Sequence, residues 1–154
     1  MHLIKDAVDK DTLDKLLSKA KKSFDLSKVK IDDISTRCVL LDDLFLLLNI
    51  KNKLETKFNI SLDIQAMEIN CWCVGSESTR HIHDENNRDG TKYNAILYLN
   101  NDYEGGEFFT DSMQYKPNAG DLLFFNGQTI YHGLNKVKKN HRYNIIFWWK
   151  DNNG

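Results

Sequence analysis

The sequence predicts a mainly β fold with helices at its N-terminal end. Apolar residues recur at helical spacing in the first third of the chain, between Leu13 and Phe58. From Leu62 the pattern changes to period-two alternation. Short apolar runs then alternate with turn-forming residues, the pattern of a sandwich or barrel. A chain of 154 residues suits one domain with a single core. Its helical part runs over about 1–60 and its β core over about 61–150.

Taken in order, Asp11 and Thr12 are placed to cap a first helix whose apolar face is Leu13, Leu16, Leu17 and Ala20. Lys19, Lys21 and Lys22 fall near its C-terminal end, where cations complement the dipole, on a solvated face. A second helix is expected over about Leu40–Phe58, with a stripe of Leu44, Leu47, Leu48, Leu54 and Phe58. Beyond Leu62, residues Ile64, Ala66 and Glu68 mark one side of a strand and Met67, Ile69 and Cys71 the other. Further strands are expected over Tyr93–Leu99, Glu107–Thr110, Asp121–Phe125 and Tyr143–Trp149. Asn100-Asn101-Asp102, Gly105-Gly106, Pro117-Asn118-Ala119-Gly120 and Asn126-Gly127 supply the turns between them.

Composition excludes some functions. Hydrophobic residues make up 41% and charged residues 28%, a soluble globular balance. A net charge of −1 offers nothing to attract nucleic acid or an anionic membrane. The longest apolar run, Val39–Ile50, is short and interrupted by Asp42, Asp43 and Asn49, so no membrane span is expected. Met1–Asp6 lacks the basic and apolar regions of a signal peptide. Three cysteines without framework spacing fit reduced thiols, and a cytoplasmic location is the expectation. Cys71-Trp72-Cys73 is not a CxxC motif; its thiols should share one strand face as small buried side chains.

The chemistry concentrates in the C-terminal half. On an extended strand His83 and Glu85 point the same way, so imidazole and carboxylate could bind one metal, with His132 arriving from a distant strand. Two imidazoles and a carboxylate form the facial set that leaves coordination positions open in non-haem Fe(II) oxygenases. Arg142, ten residues after His132, suits a bidentate partner for a carboxylate cosubstrate.

From Met67 to Trp149 the chain resembles the Fe(II)/2-oxoglutarate oxygenases of the prolyl hydroxylase-like superfamily. The residues that carry the resemblance are His83-Asp84-Glu85-Asn86, Leu97-Tyr98-Leu99-Asn100 and Asp102-Tyr103-Glu104-Gly105-Gly106-Glu107-Phe108. They continue through Pro117, Gly120, Phe124 and Phe125 to His132-Gly133, Val137, Asn140-His141-Arg142-Tyr143 and Trp148. The family's His-x-Asp pair has glutamate here, at Glu85, with Asp84 as the competing ligand if the strand bulges. Asn140 stands where the family has glycine; both tolerate a positive φ.

The resemblance implies a double-stranded β-helix, of the jelly-roll or cupin-like kind. It implies Fe(II) on His83, Glu85 and His132 as the catalytic set. It further implies 2-oxoglutarate held through its distal carboxylate by Arg142 and Tyr98, with O2 as co-reactant and ascorbate as an expected accessory. The reaction would release succinate and CO2 and hydroxylate an unactivated C–H bond of a peptidyl, prolyl-like or amino-acid substrate.

Around this set, His81 shares the face of His83 as an outer contact or an exposed residue, Asn144 shares that of Arg142, and Trp148 is expected in the core. Arg80, Arg88 and Lys92 read as solvated charge near the site, and Glu104–Glu107 as a tight turn. Two rivals remain. One is a cupin-type metalloprotein without 2-oxoglutarate, using His81, His83, Glu85 and His132, which leaves Arg142 and Tyr98 without a task. The other is a non-catalytic binding module on the same fold.

Overall fold

The computed structural model describes residues 1–24, 36–83 and 90–153. Among them are two helices and twelve strands. Helix α1 spans Lys10–Ser23, and its N-cap is Asp9, whose carboxylate accepts from the Thr12 amide at 2.7 Å. The cap therefore lies two residues before the expected Asp11. The geometric reason is that a capping oxygen must reach the amide three residues on, and Asp9 holds the extended backbone that allows it.

Helix α2 spans Leu44–Phe58 rather than beginning at Leu40. Asp43 caps it by accepting from Leu46 N at 3.0 Å, and Asn59 ends it in the left-handed conformation. The preceding Thr36–Leu40 forms strand β2. The face α2 buries also differs from the expected stripe: Leu46, Ile50 and Leu54 are inside, with Leu47 and Phe58 partly covered. Leu44 is 63% exposed, and Leu48 is also exposed. The buried set follows a strict i, i+4, i+8 row, which is the row that packs on a sheet.

The strands form two principal sheets. Strands β1 (His2–Ile4), β9 (Leu122–Asn126), β5 (Tyr93–Tyr98), β12 (Arg142–Asp151), β3 (Leu62–Trp72) and β2 lie side by side in that order. The second sheet orders β4 (Ser78–His81), β10 (His132–Leu134), β7 (Phe108–Thr110) and β8 (Gln114–Tyr115). A small pair joins β6 (Glu104–Gly105) to β11 (Val137–Lys139). These facing antiparallel sheets form the double-stranded β-helix that the sequence led us to expect. The expected Glu104–Glu107 turn contains the strand β6, and Gly105 and Gly106 both take positive φ beside it.

The large sheet divides the interior. Alternate residues of β12 and β3 point to opposite faces. Tyr143, Ile145, Phe147 and Trp149, with Met67, Ile69 and Cys71, face the helices and form the main core with Leu16, Ile50 and Leu54. Cys71 and Cys73 are buried with their sulfurs 3.7 Å apart, as same-face residues should be. The opposite face meets the second sheet around a smaller cluster of Ile96, Tyr98, Phe108, Leu123 and Phe125.

Helix α2 provides a direct check on the packing face. Ile50→Ala removes a side chain that is 0% exposed and should lower the stability measured by urea denaturation by about 2–5 kcal/mol. Leu44→Ala should change it by less than about 0.5 kcal/mol. Equal effects would mean the helix is rotated from the orientation described.

Candidate metal centre and cosubstrate pocket

A cavity of about 220 Å³ lies between the two sheets. The face of β12 turned away from the helices supplies Arg142, Asn144, Ile146 and Trp148 to its wall. The second sheet supplies His81 and His132, and His83 follows the end of β4. Trp148 thus lines the cavity instead of the core, as period two along β12 requires once Trp149 is buried in the core. Its indole Nε1 donates to Glu68 at 3.1 Å.

Three imidazoles converge at one side of this cavity. His81 and His132 are direct cross-strand partners between β4 and β10. Ring centroids are 4.4 Å apart for His81 and His132, 4.8 Å for His83 and His132, and 5.3 Å for His81 and His83. One ligand atom from each can be chosen so that all lie within 4.8 Å of one another. Each ring is held from behind through Nδ1. His81 donates to Thr79 O at 2.7 Å, His132 to Ile130 O at 2.7 Å and His83 to Asn94 Oδ1 at 2.9 Å. A carbonyl oxygen can only accept, so Nδ1 carries the proton and Nε2 keeps its lone pair. Burial, aided by the His83 and His81 imidazoles and opposed by the hydrogen bond to Ile130 O, holds the His132 pKa at about 4, so it is neutral at pH 7. This donor set fits a divalent metal ion.

From the sequence neither Asn94 nor Gly127 has a role at the site, yet both pack against His83. Asn94 is completely buried. A Cβ at Gly127 would collide with both Asn94 Oδ1 and His83 Nδ1, so this position accommodates no side chain. The turn signal at Asn126-Gly127 marked the glycine, but its role depends on a contact made across the fold.

Arg142 is buried to 1% exposure, and its Nε and Nη1 have no hydrogen-bond partner. Its guanidinium carbon lies 4.7 Å from the Tyr98 ring centroid and 6.0 Å from that of Trp72. The hydroxyls of Tyr98 and Tyr103 are also buried without hydrogen-bond partners, though both sense the Arg142 charge. Burial pushes the Tyr98 pKa up and that of Tyr103 to about 12, against the opposing pull of Arg142, so both remain protonated donors. A desolvated, unpaired guanidinium costs several kcal/mol. Arginine and two hydroxyls together fit an incoming carboxylate.

The remaining sequence candidates are distributed as follows. His83, His132 and Arg142 share the cavity, and so do Asn144 and His81. Tyr98 stands against Arg142. Glu85 and its competitor Asp84 lie outside the described residues, as does Arg88. Arg80 is not simply solvated: it forms a two-pronged pair with Asp111 at 2.6 and 2.8 Å and stacks 3.6 Å over the Tyr131 ring. Lys92 pairs with Asp151 at 2.7 Å. Asn140 takes φ 57, the conformation tolerated by the glycine it replaces. A second cluster, Cys71, Cys73 and His141, lies apart. There His141 Nδ1 accepts from Val74 N at 3.0 Å, which leaves the proton on Nε2 and no lone pair for a metal.

A sequence profile described as the 2OG-Fe(II) oxygenase superfamily matches residues 67–150. The chain belongs to this superfamily. Among curated relatives, Prolyl 3-hydroxylase 1 of Gallus gallus is 37% identical over 65 residues, covering 37% of this chain and 9% of that protein. Prolyl 3-hydroxylase 2 of Homo sapiens is 35% identical over 65 residues with the same coverage. The chain therefore spans under a tenth of these relatives' length. Among solved structures, the viral collagen prolyl hydroxylase of Paramecium Bursaria Chlorella virus-1, in complex with 2OG, superposes with a TM-score of 0.75 at 17% identity. That likeness covers 96% of this chain and 94% of the viral one. A prolyl hydroxylase from Trichoplax adhaerens, in complex with a hypoxia inducible factor peptide fragment, gives 0.74 at 16% identity over 99% and 84% of the two chains. At such identities these oxygenase structures share the fold.

The support behind His83 is testable with metal alone. Asn94→Ala should lower Co(II) affinity by about 10–100-fold with the fold retained. Gly127→Ala, which forces a methyl into the Asn94–His83 contact, should act in the same direction. Calorimetric titration and circular dichroism measure both; unchanged affinity in the two variants would remove His83 from the metal site.

Proposed function

We propose that this protein is an Fe(II)- and 2-oxoglutarate-dependent hydroxylase acting on an unactivated C–H bond, with release of succinate and CO2. Its substrate is a peptidyl, prolyl-like or amino-acid group. The observation that carries this reading is Arg142. A fully buried guanidinium with unpartnered nitrogens shares one cavity with His83 and His132. A metal site alone has no use for that charge, whereas a dicarboxylate cosubstrate does.

Iron held by His83 and His132, with Glu85 as the carboxylate ligand proposed from the sequence, would supply the oxygen chemistry that no side chain can perform. The chain's own groups do the rest. Arg142 receives the distal carboxylate of 2-oxoglutarate, and Tyr98 offers its hydroxyl as a further donor. The Nδ1 anchors of His83 and His132 keep both rings turned toward the ion. Ile96, Phe108, Phe125 and Ile146 line the cavity with apolar surface and limit the water beside the reacting atoms. The peptide class is supported by the relatives, which are named as prolyl hydroxylases, and by the Trichoplax protein's peptide complex.

His81 in the imidazole cluster favours a second reading, a cupin-type metalloprotein that does not use 2-oxoglutarate. One measurement separates the two. Anaerobic Fe(II) protein titrated with 2-oxoglutarate should develop a metal-to-ligand charge-transfer absorption. Arg142→Ala should weaken that titration by at least about tenfold, as expected when one partner of a buried charge pair worth roughly 2–5 kcal/mol is lost. Tyr98→Phe should cost about 1 kcal/mol. Absence of the band, or an unaltered titration in Arg142→Ala, would leave the cupin-type reading.

The unpaired charge also predicts an asymmetry in stability. Without cosubstrate, Arg142→Met should melt no lower than the parent protein, because it removes a desolvated charge that has no partner. The rise in melting temperature with 2-oxoglutarate should be present in the parent and lost in the variant.

A further inference from the structure

We infer that Tyr103 is a third arm of the carboxylate receiver, its phenol hydroxyl donating with Arg142 and Tyr98 to the distal carboxylate of the cosubstrate. The inference rests on the proposed function and adds a binding residue to it. The turn after β5 carries this tyrosine to Arg142. Asn100, buried to 7% exposure, accepts from Tyr143 N at 2.8 Å and donates to His141 O at 2.9 Å. One side chain thus grips the main chain on both sides of Arg142. A second tie crosses the same gap, from Asn140 Nδ2 to Asp102 O at 2.8 Å. Tyr103 directly follows Asp102 and is buried to 1% exposure. Lys116 donates to the Tyr103 carbonyl at 2.5 Å and holds its ammonium 4.8 Å from the ring centroid. Gly106 leaves room for the ring, since a Cβ there would lie 3.3 Å from it. The tyrosine therefore has one settled place, tied to the segment that bears Arg142.

The unpaired donors indicate the ligand. The Tyr103 hydroxyl is buried without a hydrogen-bond partner, and so are the Tyr98 hydroxyl and two nitrogens of Arg142. Burial raises the Tyr103 pKa to about 12 and the Arg142 charge opposes it, so the hydroxyl lies near the guanidinium and keeps its proton. An unpaired buried hydroxyl costs free energy that a phenyl ring of the same shape would not, so packing alone does not call for tyrosine here. All of these groups can donate. A carboxylate, with about four lone-pair sites and no proton, has the acceptors to match them. An alkyl terminus in its place would leave the donors unpaired. The receiver therefore discriminates a dicarboxylate from a 2-oxo acid of the same length that ends in a methyl group.

The test compares two ligands in the parent protein and in Tyr103→Phe. Anaerobic Fe(II) protein is titrated with 2-oxoglutarate and with 2-oxopentanoate, which carries a methyl group where the distal carboxylate would be, and the charge-transfer absorption is followed. The variant should bind 2-oxoglutarate at least about fivefold more weakly and 2-oxopentanoate within about twofold of the parent. Melting gives a readout that needs no turnover. Without ligand the variant should melt no lower than the parent, and its rise in melting temperature with 2-oxoglutarate should be smaller. Unaltered 2-oxoglutarate binding in Tyr103→Phe overturns the third arm and leaves the proposed function standing. An equal loss for both ligands does the same, because a tyrosine that only supports the fold would not distinguish them. A parent protein that gives no absorption with 2-oxoglutarate overturns the third arm and the proposed function together.

Discussion

Strand β12 is the element on which the rest of the structure depends. It pairs with β3 along one edge and β5 along the other, so it lies inside the large sheet with both faces covered. Because successive side chains alternate, one strand builds two environments. Tyr143, Ile145, Phe147 and Trp149 complete the core beneath the helices. Arg142, Asn144, Ile146 and Trp148 form a wall of the cavity. A slip of one residue would exchange the sets and place a guanidinium against leucines. The bulge between Trp148 and Trp149 falls at the far end, away from Arg142.

The cavity departs from the rule that buried polar groups are satisfied. Arg142, Tyr98, Tyr103, Asn70 and Asn144 all contain buried polar atoms without hydrogen-bond partners. In a region that only had to fold, such a group of orphans would be a defect costing roughly 1–3 kcal/mol each. Three of them, Asn70, Arg142 and Asn144, line one cavity, and the Tyr98 ring stands against Arg142. The imidazole side is different: each ring there is anchored through Nδ1.

Legibility differed from element to element, for physical reasons. Strands β3, β5, β9 and β12 were visible because each is long or apolar enough to show a period. Strands β4 and β10 were not: Ser78-Thr79-Arg80-His81 is polar and His132-Gly133-Leu134 is three residues long. Both exist because each finds a partner across the sheet, which local propensity does not report. The apolar run before α2 concealed a boundary in the same way. Val39 and Leu40 continue the hydrophobic pattern, but they pair with Ile69 and Glu68 of β3, and Asp43 starts the helix only afterwards.

The sequence by itself determined the family and the order of the chemical groups along the chain. His132 and Arg142 stand in one short segment ending in β12, where period-two geometry is reliable and the flanking motif is specific. The tertiary structure decided which imidazoles meet. His81 reads locally as a polar residue beside His83, with nothing to distinguish a cavity-facing ring from an exposed one. Its direct opposition to His132 arises from antiparallel pairing between strands far apart in the chain. Such pairing is a property of sheet register and closure, so no local pattern encodes it. The same holds for Gly127, whose missing Cβ matters only because His83 and Asn94 come to rest against it.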